Sequence, residues 1–263
     1  MIEYDMSYFN VAHIIVLLLA LLVLPGALVL FHYVARTDGR KVLVLKLLAL
    51  VTLLLHWSIL HYRFLRDGRT TTVANVLFPL YPCNLAMYLL FFVAFFKPGD
   101  KEGRAHKVWY VLAVFTAYLG FVGSVSTLAF PYWWTRQQTV WSWETLQGIF
   151  SHAALLLASL YLVVGKFIRV QWRNIAVLII GGILMIGLGH IMQAMLHARN
   201  ITGHNPMFLF RSPVAGMDFF TWHLIYSLAL IGATIATATV ILTRHLINKK
   251  KGNEKNIEKT VDN

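Results

Sequence analysis

The sequence predicts an all-α polytopic membrane protein, a bundle of seven transmembrane helices with the N-terminus outside and the C-terminus in the cytoplasm. Three observations predict it. Hydrophobic residues make up 58% of the chain and charged residues only 13%, about half the charged share of a soluble domain. The apolar residues are gathered into runs of roughly 20, the length an α-helix needs to cross a hydrocarbon core of about 30 Å. Basic residues cluster between those runs with the alternation that the positive-inside rule describes.

Taken in order, the runs are Phe9–Val34, Val42–Tyr62, Asn75–Phe96, Val108–Phe130, Trp143–Val164, Ile175–Leu196 and Phe219–Leu242. The first follows a stretch with Glu3 and Asp5 but no Lys or Arg, and is too long for a signal-peptide core, so it is expected to stay as a span. The second holds Lys46 near its start, where a lysine can snorkel to the interface. Within lipid the backbone must satisfy its own hydrogen bonds, which makes these runs helices. They lack the in/out alternation of a barrel strand. Trp133, Trp134, Trp141 and Trp143 flank the fourth and fifth spans as an interfacial belt, with Pro131 and Tyr132 marking the turn. Residues 1–246 form the membrane domain, and 247–263 a charged tail.

Orientation follows from the loops. One set of faces, including the tail with Arg244, Lys249, Lys250, Lys251, Lys255 and Lys259, carries sixteen of the 23 Lys and Arg. The other carries six, three of them Arg63, Arg66 and Arg69. The richer set is expected in the cytoplasm. The net charge of +12 is therefore a topology signal, with membrane lipids as the expected partners and no nucleic acid. The one cysteine, Cys83, excludes an internal disulfide and a cysteine-based metal cage.

Ionisable residues inside spans are costly and usually face the bundle interior. The helical rise puts Cys83 about 12 Å below Asn75, His152 about 13 Å below Trp143, and His56 about 10 Å short of the outer end of its span. His190 lies at a similar depth, with Gln193 and His197 continuing its face. Four helices thus bring chemically capable residues into one outer layer, which predicts a polar pocket open to the outer side. Taken alone, a buried cysteine is usually an inert small hydrophobe, and a buried histidine an interhelical hydrogen-bond partner. Several at one depth favour a site.

The segment Phe78-Pro79-Leu80-Tyr81-Pro82-Cys83-Asn84-Leu85 cannot lie in an undisturbed helix, because each proline removes a donor and clashes with the preceding turn. With Pro82 as the first residue of a helix, Cys83 becomes the second, beside unsatisfied amides and the positive end of the helix dipole. That setting favours a thiolate nucleophile. An imidazole at the same depth, such as His152, can take and return the proton. His56, His152 and His190 also suit a metal or haem iron. However, no HExxH or His-x3-His pair stands within a span and acidic co-ligands are missing, so no metal or other cofactor is expected.

Pro79-Leu80-Tyr81-Pro82-Cys83-Asn84-Leu85 resembles the PLxxCxL signature of the YwaF-like bacterial membrane proteins, a seven-span family related to the eukaryotic transmembrane protein 164 group. Ser151-His152-Ala153 resembles its histidine patch. Asn205-Pro206-Met207-Phe208-Leu209 with Pro213 resembles its NYxxL…P loop, with Asn-Pro in place of Asn-Tyr, and Trp222 matches a tryptophan near the last span's start. The resemblance implies fatty-acyl transfer onto lysophospholipids, with Cys83 as acyl-accepting nucleophile, His152 as general base and Asn84 positioning the thiol or the oxyanion. More distant relatives, the androgen-induced-gene hydrolases, use a threonine and a histidine on fatty-acid esters. The resulting expectation is a cell-membrane enzyme that transfers or hydrolyses acyl groups of outer-leaflet lipids, its pocket including His56, His190, Gln193 and Asn205. A small-molecule transporter or channel, or a non-catalytic assembly protein, are the alternatives.

Overall fold

A computed structural model of the chain describes residues 9–67, 80–100, 103–131, 140–200, 205–210 and 243. The expected seventh span, His223, Trp222, Trp133, Trp134, Pro79 and the tail lie outside the described residues. Six α-helices follow one another: α1 (Val11–Val34), α2 (Asp38–Asp67), α3 (Pro82–Phe95), α4 (Arg104–Ala129), α5 (Trp143–Val164) and α6 (Arg173–Ala198). A 3-10 turn, Pro206–Phe208, comes after them. No strand occurs among the described residues. Five of the helices are long and apolar enough to cross a bilayer, and α3 is a shorter apolar helix of 14 residues.

The ends of the helices are written in the chain. Asn10 caps α1, its side chain accepting from His13 N at 2.8 Å, and Ser142 caps α5 by accepting from Thr145 N at 3.2 Å. Proline at the first position starts α3, after Tyr81 in extended conformation (φ −118°, ψ 152°). The fifth helix has the bounds its apolar run predicts. The second runs from Asp38 to Asp67, past both edges of its run, because hydropathy marks where lipid ends and not where helix ends.

Helix α5 is the hub, packing chiefly on α2 and α4, with α1 and α3 also against it. Fully buried Ala49, Ala86, Ala113 and Ala158 let these backbones approach closely, as small residues do in membrane bundles. Two pins show that α4 and α5 are antiparallel. Near the start of α4 the Tyr110 hydroxyl donates to Arg169 O and accepts from Arg169 N, both at 3.2 Å, just beyond the end of α5. Further along, Gly120 lies so close to α5 that a Cβ there would collide with Ser159 Oγ. The turn at 205–210 and α4 pack against α6.

A histidine that the hydropathy reading passes over ties α1 to this core. His13 is buried, takes the Phe9 N–H on Nδ1 at 3.0 Å and gives its Nε2 proton to Leu128 O at 2.8 Å. That carbonyl is among the last four of α4, which have no partner within the helix. Both ring nitrogens are thereby satisfied, and His13 is structural.

Candidate functional site

Cys83 is the second residue of α3 and is buried. Its Sγ lies 3.3 Å from Thr127 Oγ1 on α4. The thiol rests on Gly123 of the same helix, where a Cβ would stand 3.1 Å from Sγ. A glycine one turn before the threonine leaves room for the sulfur, and the threonine supplies its polar partner.

Helix register brings His152 to this level. Thr127 stands seven residues beyond Gly120, and His152 seven residues before Ser159. The helices are antiparallel, so both lie about 10 Å from the Gly120–Ser159 contact in the same direction. His152 Nδ1 is 2.8 Å from Gly148 O. A carbonyl can only accept, so Nδ1 carries the proton and Nε2 carries the lone pair. Ser151 Oγ supports the same nitrogen at 3.3 Å and is met by Gln147 Nε2 at 3.4 Å. Cys83 and His152 are not hydrogen-bonded to each other; the sulfur's partner is the threonine.

His56 comes in through α2. Arg63 Nε donates to Glu144 Oε1 at 2.9 Å, joining the C-terminal part of α2 to the first turn of α5. His56 precedes Arg63 by seven residues and Ser151 follows Glu144 by seven, so His56 is level with Ser151–His152. It lies within electrostatic reach of His152. Its ring is edge-on to Tyr88 of α3, at 6.2 Å between centroids, and the Tyr88 hydroxyl takes the Trp57 indole N–H at 3.0 Å. Glu144 is buried at 6% exposure while Arg63 keeps 35%, so an ion pair lies about 10 Å along the helices from this layer. Sequence reasoning counted no acid here. The signal was present: one arginine and one glutamate, each a single residue from one end of its apolar run.

The remaining expected residues divide. Asn84 is buried beside Cys83. Asn205 is buried, and its Oδ1 accepts from Phe210 N at 2.9 Å, which closes the turn. In that turn Met207 N donates to Leu80 O at 2.7 Å, three residues before Cys83. Met207 has φ 52°, a left-handed conformation rare for such a side chain. Two of the segments that carry the family resemblance, far apart in sequence, are therefore in backbone contact. His190, by contrast, is exposed on α6 with its ring edge-on to Phe210, 5.2 Å between centroids. Gln193 bonds His197 at 2.8 Å. These α6 residues share the depth of the Cys83 layer and do not join it. Among the described residues no three His, Cys, Asp or Glu side chains converge as metal ligands.

The cavity beside this layer is apolar, where a polar pocket was expected. It is a cleft of about 100 Å³ between α4 and α6, lined by Phe115, Val122, Gly182 and Met185 among others, with Met207 and Leu209 from the turn. Val122 adjoins Gly123, on which Cys83 rests.

A multi-pass helical membrane protein with a buried cysteine–threonine pair level with a tautomer-fixed histidine is the class this geometry defines. A family model, the TMEM164 family, matches residues 8–243. The chain belongs to the TMEM164 family. No curated protein and no solved structure matches it.

Proposed function

We propose that the protein is a membrane-embedded acyltransferase or lipid acyl hydrolase in which Cys83 accepts an acyl group from an outer-leaflet lipid. The observation that carries this reading is the Cys83–Thr127 hydrogen bond at the level of His152. A thiol must lose its proton as it attacks an ester. Thr127 can pass that proton on, because a hydroxyl both accepts and donates, and His152 Nε2 is the lone pair that receives it.

The chemistry then runs in two halves. Sγ bonds to the ester carbonyl carbon; the C–O bond breaks, and the lysolipid oxygen leaves with the proton held by His152. In the second half a lysolipid hydroxyl, or water, attacks the thioester carbonyl. Its proton passes to His152, the C–S bond breaks, and the proton returns to sulfur. The amides of Cys83 and Asn84 head α3, ahead of its first i→i−4 bond, which Leu85 N makes to Tyr81 O at 3.0 Å. Together with the Asn84 side chain they can donate to the tetrahedral oxyanion, the kind of stabilisation worth about 10²–10³ in rate per donor. His56 lines the same layer, and Asn205 holds the turn against Leu80.

In this reading Phe219–Leu242 is the seventh span, the N-terminus is outside and the C-terminus cytoplasmic, and the protein works in the cell membrane. The site then sits in the outer half of the bilayer, where the ester linkage of an outer-leaflet lipid is within reach.

The test uses the full chain in lipid nanodiscs with a phosphatidylcholine bearing an alkynyl acyl chain. Wild type acquires a hydroxylamine-sensitive adduct that Cys83→Ala lacks. In His152→Ala its formation slows by about 10²–10⁴, the usual worth of a general base. No adduct on wild type, with lipid turnover unchanged by Cys83→Ala, would falsify the reading.

A further inference from the structure

The cleft between α4 and α6 has a direction and a narrow place. It extends along α4 from Val122 to Phe115, seven residues or about 10 Å, running inward from the level of Cys83. The Phe115 ring lies over Gly181, so closely that a Cβ on that glycine would collide with the ring. At the outer end the wall is Met207, whose backbone is bonded to Leu80, with Leu209 against Gly189. Midway, Gly182 faces open space, with nothing within 4 Å of where its Cβ would be. Cys83 does not line the cleft; it rests on Gly123, next to Val122, and Met207, bonded to Leu80 three residues before the cysteine, is part of the lining. Methionine is the side chain best able to rearrange around a threading chain.

We propose that this cleft holds the acyl chain of the lipid presented to Cys83, and that Phe115, which crosses it to Gly181, sets the chain length accepted. The inference deepens the reading of Cys83 as acyl acceptor and rests on it. The lining is hydrocarbon and aromatic, and an apolar cavity of about 150 Å³ in a protein interior takes up benzene. The 100 Å³ here suits a segment of aliphatic chain. Its axis follows the helices, as lipid tails do, and it begins one residue from the glycine beneath the sulfur. Gly182 is the position that keeps its middle open.

Two measurements on the full chain in nanodiscs test this. In the first, alkynyl phosphatidylcholines with lauroyl or oleoyl chains compete for Cys83. Gly182→Leu lowers the oleoyl-to-lauroyl adduct ratio by about tenfold, and Phe115→Ala raises it, since each methylene in an apolar pocket counts for about tenfold or more. An unchanged ratio in a Gly182→Leu protein that still forms adduct overturns the inference. In the second, a phosphatidylcholine with a mid-chain diazirine is photolysed on unmodified protein and the crosslinks are mapped. Saturable labelling of Phe115, Val122 or Met185 supports the cleft, even should no thioester form, in which case the catalytic reading falls and the binding site stands. Labelling no greater there than at the lipid-facing Ile183 and Leu184, 63% and 67% exposed, means annular lipid only and overturns it.

Discussion

Threonine is common in membrane spans, where its hydroxyl usually returns to the carbonyl four residues back, as Thr52 does to Leu48 and Thr116 to Leu112, each at 2.7 Å. Thr127 instead turns to Cys83, and nothing in its own neighbourhood of sequence announces the difference. Thr127→Val keeps the shape and removes the hydroxyl. It is expected to slow Cys83 acylation by about tenfold, equivalent to about 1.4 kcal/mol of barrier, with the lipid concentration dependence unchanged; Thr127→Ser restores the rate. A Thr127→Val protein that acylates at the wild-type rate removes the relay. Cys83 and His152 could be picked out from sequence because a proline break and an intramembrane imidazole are unusual in themselves. Glu144 was overlooked for the opposite reason, since a charge at the rim of an apolar run reads as interface until its partner is seen. Arg63→Ala leaves that buried carboxylate without its guanidinium. Breaking a fully buried pair costs about 3–5 kcal/mol, and partial exposure of Arg63 brings the expectation to about 1–3 kcal/mol. Thermal unfolding in detergent reads the loss, and Arg63→Met with Glu144→Leu recovers most of it.

Helices were legible element by element, because a bilayer imposes both a length and a composition. The start of α3 at Pro82 was legible for a sharper reason: proline fixes φ and lacks the N–H, so it fits the first turn and little else. Register between helices was not legible. It is set by where small residues permit approach, and Gly120 and Gly123 mean nothing until Ser159 and Cys83 are placed against them. Spacing along a helix gives depth but leaves the angle around the axis open when apolar residues cover every face, and that is why His190 shares the depth of Cys83 while pointing elsewhere. Gly123→Ala tests the register directly. Its Cβ would stand 3.1 Å from Sγ, so the thiol must give by a few tenths of an ångström, which alters its approach to Thr127. Acylation is expected to fall about tenfold while the melting temperature drops by about 2–4 °C, the effect of ~1 kcal/mol in a protein of this size. A large stability loss with normal acylation of the folded fraction would place the glycine's role in packing alone.

At the scale of the whole molecule, charge distribution makes a commitment that can be checked at two exposed positions. Cys83 is the only cysteine, so a Cys83→Ala chain is a clean background for new thiols. Trp141→Cys, at a position 77% exposed ahead of α5, is expected to react with an impermeant maleimide on intact cells. Gly99→Cys, exposed in the connection between α3 and α4, is expected to react only after permeabilisation. The reverse pattern overturns the orientation and moves the cysteine layer to the cytoplasmic half. The family match covers nearly all of the chain, and matched segments far apart in sequence meet in space: Leu80, three residues before Cys83, is bonded to Met207, 127 residues further on.

The bond from Met207 N to Leu80 O has a consequence for how the protein is made. About 124 residues separate Cys83 from Met207, several seconds or more of synthesis at ~5–20 residues per second. During that interval α3 has left the ribosome with Leu80 O unpaired and the outer wall of the cleft missing. The cysteine therefore acquires its finished surroundings only when the sixth helix has been inserted and the turn behind it closes. A nascent chain stalled earlier carries the Cys83 thiol without the bond that ties Leu80 to the turn.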